Sequence, residues 1–215
     1  MITSLQVGPL MACCYIIASD QPDAKPDPCV VIDPGAEPER ITAEVRRLNL
    51  RVEMILLTHA HPDHIGGVSG LLLDWPDAVL ACSEETSRRA GDANLNLSAL
   101  MGARITCGPA GRIIQDGESF TAAGLSWKAV IIPGHEPGEM AYILEKGDDV
   151  FTGDTLFAGS IGRSDFPGGD GQALVAGVKA LLHSLPGAAR IYPGHGPATT
   201  AHTELSGNPF LRGNR

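Results

Sequence analysis

Residues Thr58-His59-Ala60-His61-Pro62-Asp63-His64 place three histidines and an aspartate within six consecutive positions. His59 and His61, two apart, point the same way off an extended turn. Asp63 and His64 lead into a helix read at 65–75 and point elsewhere. So short a stretch cannot bring every donor to one ion, so the spacing predicts two neighbouring ions. Imidazole and carboxylate donors suit zinc, with iron or manganese as the other candidates, over metals that select thiolates.

Working outward, three more segments share one design with Ile55-Leu56-Leu57-Thr58-His59. They are Val130-Ile131-Ile132-Pro133-Gly134-His135, Val150-Phe151-Thr152-Gly153-Asp154 and Ile191-Tyr192-Pro193-Gly194-His195. Each is a short β run that ends in a turn bearing a metal-ligating side chain. Glycine before the donor lets the chain leave the strand at angles other residues disfavour. The donors suffice for three histidines on one ion, two histidines and an aspartate on the other, and one bridging carboxylate. Isolated histidines are seldom ligands. His183, inside a helix read at 172–184, and His202, in a final helix at 198–205, are read as ordinary surface or packing residues.

The rest of the chain supplies a scaffold. Short β runs are read at 2–7, 12–18, 29–32, 54–57, 78–81, 129–132, 140–144, 150–152 and 190–192. Residues 20–28 read as a turn, 37–48 as a helix, and Ser83 as the N-cap of a helix through Arg89. Residues 91–102 read as a loop with a helical turn, and 159–171 as a glycine-rich loop. Strands and helices alternate with both hairpins and crossovers, so the expectation is α/β layers in one domain spanning 1–215.

Composition narrows the function. The 215 residues carry a formal net charge of −9. That charge repels a phosphate backbone and argues against nucleic-acid binding. The five cysteines are odd in number and form no CxxC, so they read as reduced, buried thiols rather than disulfides or a thiolate zinc site. No apolar run approaches the length of a membrane helix, and the N-terminus has no signal-peptide pattern. The expectation is a cytoplasmic protein with no membrane partner, its oligomeric state left open.

His59-Ala60-His61-Pro62-Asp63-His64, with His135, Asp154 and His195, resembles the HxHxDH…H…D…H set of the metallo-β-lactamase superfamily. The likeness spans nearly the whole chain and is nearest to the glyoxalase II-like branch. Pro133-Gly134-His135-Glu136-Pro137-Gly138 resembles that branch's PGHTPG, with Glu136 where Thr or Ser is usual. Gly153-Asp154-Thr155-Leu156-Phe157 resembles its GDTLF, residues 162–170 its GRxDFPxGD loop, and Asn208-Pro209-Phe210 the C-terminal NPF of short bacterial members. The Cys13-Cys14-Tyr15 segment departs from relatives that carry Asn there. The resemblance implies a four-layer αββα sandwich. It also implies that one metal takes His59, His61 and His135, the other Asp63, His64 and His195, and Asp154 bridges.

The implied activity is hydrolysis of a small-molecule thioester, such as S-lactoylglutathione or a related hydroxyacyl thioester, by a hydroxide shared between two divalent ions. Asp63 is a candidate to orient that nucleophile, and Arg163 to bind a substrate carboxylate. The competing reading for Arg163 is a loop-stiffening contact with Asp165. A thiol leaves as thiolate without a strong general acid, and no general acid stands out. Full-length glyoxalase II enzymes add a helical glutathione-binding domain after the counterpart of Asn208-Pro209-Phe210, so most of that glutathione site has no counterpart in these 215 residues. The alternative activity is that of persulfide dioxygenases, which resemble this chain but hold one iron through the counterparts of His59, His135 and Asp154. A non-catalytic metal-binding module is the outlying reading.

Overall fold

Residues Ala12–Ala18 form a strand buried along its whole length. Successive side chains leave a strand on opposite faces, so such a strand needs apolar cover on both sides. Cys13, Tyr15 and Ile17 join one cluster with Trp127, Met140 and Phe151. Cys14, Ile16 and Ala18 join another with Ile41, Val45 and Leu71. This alternation defines the layering of the whole chain.

The computed structural model describes residues 1–20, 26–144 and 148–212. The first sheet runs in sequence order through β1 (Ile2–Val7), β2 (Ala12–Ala18), β3 (Asp27–Ile32), β4 (Leu50–Leu56), β5 (Val79–Cys82) and β6 (Arg112–Ile113). Its first two pairings are antiparallel and the rest parallel. Parallel neighbours need crossovers. These are α1 (Pro38–Arg47), then α2 (Pro62–Ile65) with α3 (Val68–Asp74), then α4 (Glu84–Ala90). Ile41, Val45, Val68 and Leu71 cover the outer face of the sheet.

The second sheet contains β7 (Ser119–Ala122), β8 (Leu125–Ile131), β9 (Met140–Leu144) and β10 (Asp149–Gly153) as an antiparallel meander. A small hairpin follows, β11 (Leu156–Phe157) with β12 (Ser160–Ile161). Helix α5 (Gly171–Ser184) then crosses to β13 (Arg190–Pro193), parallel to β10, and β14 (Thr199–Thr200) closes that edge. Leu174, Val178, Leu181 and Leu182 of α5 cover the outer face with Ala201 of α6 (Ala201–Gly207). Between the sheets lie Trp127, Tyr142 and Phe151, each fully buried. The order helix, sheet, sheet, helix is the expected αββα sandwich.

Three expectations are corrected. The single helix read at 65–75 is two, α2 and α3, parted at Gly66 and Gly67. Gly67 N donates to Pro34 O at 2.7 Å, and a Cβ on Gly66 would collide with the Gly35 carbonyl. The helix is thus broken by close packing against the loop after β3. The glycine-rich loop at 159–171 begins with strand β12. Of the turn read at 20–28, residues 21–25 lie outside the described residues, while Asp27 and Pro28 already belong to β3. Ser83 is the N-cap of α4 as expected, its Oγ accepting from Thr86 N at 3.0 Å. All five cysteines are free and buried. Among the described residues no helix is long and apolar enough to cross a membrane.

Candidate metal centre

Strands β8, β10 and β13 run in the same direction, so their C-terminal ends share one edge of the second sheet. His135, Asp154 and His195 follow those three ends. His59, His61, Asp63 and His64 follow β4, from the first sheet. Hydrogen bonds between the sheets hold them together there, Met140 N donating to Thr58 O at 2.8 Å among them. Tyr15 Oη donates to Pro193 O at 2.6 Å, and Cys13 N to Gly194 O at 2.7 Å.

Seven donors converge as two groups. In one, His61 Nδ1 lies 3.1 Å from His59 Nε2 and 3.0 Å from His135 Nε2. In the other, Asp63 Oδ2 lies 3.1 Å from His195 Nε2 and 3.7 Å from His64 Nε2. Asp154 stands between them. Its Oδ1 is 3.5 Å from His64 Nε2, and its Oδ2 is 3.7 Å from both His135 Nε2 and His195 Nε2. His183 and His202 belong to neither group and are exposed.

The outer ring nitrogens explain these orientations. His135 Nδ1 faces the carbonyl of Arg163 at 2.8 Å, and His195 Nδ1 that of Leu10 at 3.1 Å. A carbonyl only accepts, so Nδ1 carries the proton and Nε2 presents its lone pair inward. Thr58 Oγ1 donates to Asp33 Oδ2 at 2.6 Å and so accepts from His59 Nδ1 at 3.0 Å, which again leaves Nε2 free. His64 Nδ1 meets Asp33 Oδ2 at 3.0 Å. Outer hydrogen bonds of this kind fix tautomer and ring plane in metal sites.

Asp33 also comes within 4.8 Å of ring nitrogens of His59 and His64. Its two oxygens are already taken by Thr58 N, Thr58 Oγ1 and His64 Nδ1, so it supports rather than faces the centre. Deeper support comes from Glu136, which accepts from Ala60 N at 2.6 Å and Arg89 Nε at 2.8 Å. Glu139 accepts from Asp154 N at 2.8 Å. The role of these residues was not legible in the spacing. Only Asp33 had a signal, since Val30-Val31-Ile32-Asp33 repeats the design of a β run ending in a carboxylate.

Electrostatics sort the rings. Burial, then the neighbouring imidazoles, holds His59 far below the usual histidine range and brings His61 down to about 3. Burial also disfavours a charged His64, but Asp154, Asp33 and Asp63 outweigh it and push His64 up to about 10. Burial would raise Asp63, yet the His195 hydrogen bond and the His64 charge hold it below the carboxylate range.

Do these residues fit a metal? His64 Nε2 and Asp154 Oδ1 are both buried, both without a hydrogen-bond partner. Buried polar atoms left unpaired are costly, and two facing each other among inward lone pairs are the mark of a cation site. The donor set is imidazole and carboxylate throughout, which suits divalent metals. Two glycines permit the convergence. Gly134 takes φ +134°, and a Cβ on Gly194 would strike the Asp154 carboxylate and sit 2.7 Å from His64 Cε1. Gly194 is therefore needed for close approach rather than for an unusual φ.

Over the centre opens a cavity of about 530 Å³, reached by Asp63, His61, His135, Asp154 and His195. Arg163 lines it too, but its guanidinium is held by Asp165 at 2.7 and 2.8 Å and lies 3.9 Å from the Phe166 ring.

Residues 7–195 match the model of the metallo-beta-lactamase superfamily. "Probable metallo-hydrolase YqgX" of Bacillus subtilis is 36% identical, over 97% of this chain and 96% of that protein. "Hydroxyacylglutathione hydrolase GloC" of Haemophilus influenzae is 32% identical, over 92% of each. Among solved structures, the B3 metallo-beta-lactamase BLEG-1 superposes with a TM-score of 0.92 at 33% identity, over 99% of this chain and 100% of that one. TTHA1623 in a di-iron-bound form does so with 0.83 at 36% identity, over 97% and 100%. The chain belongs to the metallo-β-lactamase superfamily, among its metallo-hydrolases.

Proposed function

We propose that the chain is a binuclear metal-dependent thioester hydrolase. His59, His61 and His135 would hold one cation, and Asp63, His64 and His195 the other. The observation that carries this reading is the placement of Asp154, with one oxygen 3.5 Å from His64 Nε2 and the other 3.7 Å from His135 Nε2. A mononuclear site would use only the oxygen on the His135 side, whereas this carboxylate reaches both groups.

When bound, such a pair supplies a water of near-neutral pKa and Lewis-acid polarisation of a carbonyl. Asp63 faces the cavity and is held ionised. It accepts a hydrogen bond from the attacking water and directs that oxygen at the acyl carbon. The new C–O bond forms, the C–S bond breaks, and the products are a carboxylic acid and a thiol. A thiol of pKa about 8.5 departs as thiolate, so no general acid is required. The relative named hydroxyacylglutathione hydrolase supports a thioester of this kind, with S-lactoylglutathione as the first substrate to try. Zinc-loaded protein should release one thiol per thioester consumed. A fully loaded protein that hydrolyses no thioester would contradict the reading.

A further inference from the structure

One wall of the cavity has no part in holding metal. Residues 93–105 form a segment with one 3-10 turn at Ser98–Met101, tied by buried polar groups. Asn96 Nδ2 donates to Ile105 O at 2.8 Å, Asn96 Oδ1 accepts from Ser98 N at 3.0 Å, and Ser98 Oγ accepts from Ile105 N at 3.1 Å. Both Asn96 and Ser98 are fully buried. Between them Leu97 takes φ +69°, a conformation a leucine seldom adopts. Residues held in such conformations cluster at ligand-binding surfaces.

What this knot presents is apolar. Leu97, Leu100 and Met101 line the cavity together with Leu10, from the turn between β1 and β2. Leu100 is 76% exposed and Met101 62%. Side chains so open contribute little to folding, and apolar side chains grouped beside reactive atoms are a binding surface. Charge points the same way. Among the described lining residues Arg163 is the only Lys or Arg, and Asp165 already holds it bidentately. Glutathione brings two carboxylates. Apart from bound metal, they would find no free Lys or Arg among the described lining residues to receive them.

We infer that Leu10, Leu97, Leu100 and Met101 select thioesters whose non-reacting arm is uncharged and apolar. This inference rests on the thioesterase reading. The test uses zinc-loaded protein and two esters of the same acyl group, one of benzyl mercaptan and one of glutathione. Each kcat/KM is divided by that ester's rate of alkaline hydrolysis. The benzyl ester should be favoured about tenfold, mostly through KM, the scale of a small change in hydrophobic contact. Leu100→Gln and Met101→Gln, neutral changes at exposed positions, should remove that preference while metal content is retained. Binding of the matching non-hydrolysable thioethers, followed by calorimetry, should give the same order. Preference for the glutathione ester, or an unaltered ratio in both variants, overturns the inference and leaves the thioesterase reading intact. Hydrolysis of neither ester overturns both.

Discussion

His64 and Asp33 meet through the outer side of the ring, Nδ1 lying 3.0 Å from Asp33 Oδ2 with both side chains buried. The opposite nitrogen, Nε2, is left without a hydrogen-bond partner and faces the centre. Asp33 therefore decides where that lone pair points. Asp33→Asn should weaken metal binding about 10–100-fold, measured by competition with a chelator. An unchanged affinity would mean that His64 needs no such support.

Asp154 is the one donor that lies near both groups. Asp154→Ala should lose bound metal and hydrolytic activity together. A variant that keeps both metals and its full rate would contradict a shared carboxylate.

Glu136 and Arg89 form a buried pair at 2.8 Å, and Glu136 also anchors the Ala60 amide at the heart of the histidine run. Removing one partner leaves a buried charge and an unpaired N–H. Glu136→Ala should destabilise the fold by about 3–5 kcal/mol, read by urea unfolding. Glu136→Gln should lose less, since its amide oxygen still accepts from Ala60. Equal losses would mean that the lost charge opposite Arg89 accounts for the whole effect and the Ala60 hydrogen bond for none of it.

Without metal, His64 is pushed up to about 10 from an ordinary 6.5. A raised pKa in the folded state contributes stability that is complete below the ordinary value and is lost as pH rises through about 10. A cation at Nε2 displaces that proton, so metal binding strengthens with pH over the same window. His59 and His61 are already neutral and add little to this slope. At fixed free zinc, the rise in Tm on metal addition should be larger at about pH 8.5 than at about pH 6.5. An equal rise at both would show that no proton is displaced.

The seven donors were legible because each follows an apolar run and four are nearly contiguous. Layered α/β structure was legible from runs such as Ala12–Ala18, while the αββα order followed only from the family resemblance. Strand β4 was read short, as 54–57, because Arg51 and Glu53 break its first half, which is only alternately buried. The supporting carboxylates were hidden for a different reason. Asp33, Glu136 and Glu139 act on partners 25, 76 and 15 positions away. Nothing in local spacing reports a contact that only the packed sheets create. The same holds for Gly66 and Gly67, whose break in the helix is imposed by the neighbouring loop. Arg163 is met where the loop suggested, at the cavity, but with its guanidinium engaged by Asp165.

The central claim is a two-metal centre that hydrolyses thioesters, and one preparation tests it. Metal content of the purified protein is measured by elemental analysis beside its hydrolysis of a thioester series that includes S-lactoylglutathione. The account predicts about two divalent equivalents per chain, with turnover that falls when either is withdrawn. A single iron per chain, no thioester turnover, and oxygen uptake with glutathione persulfide would contradict it.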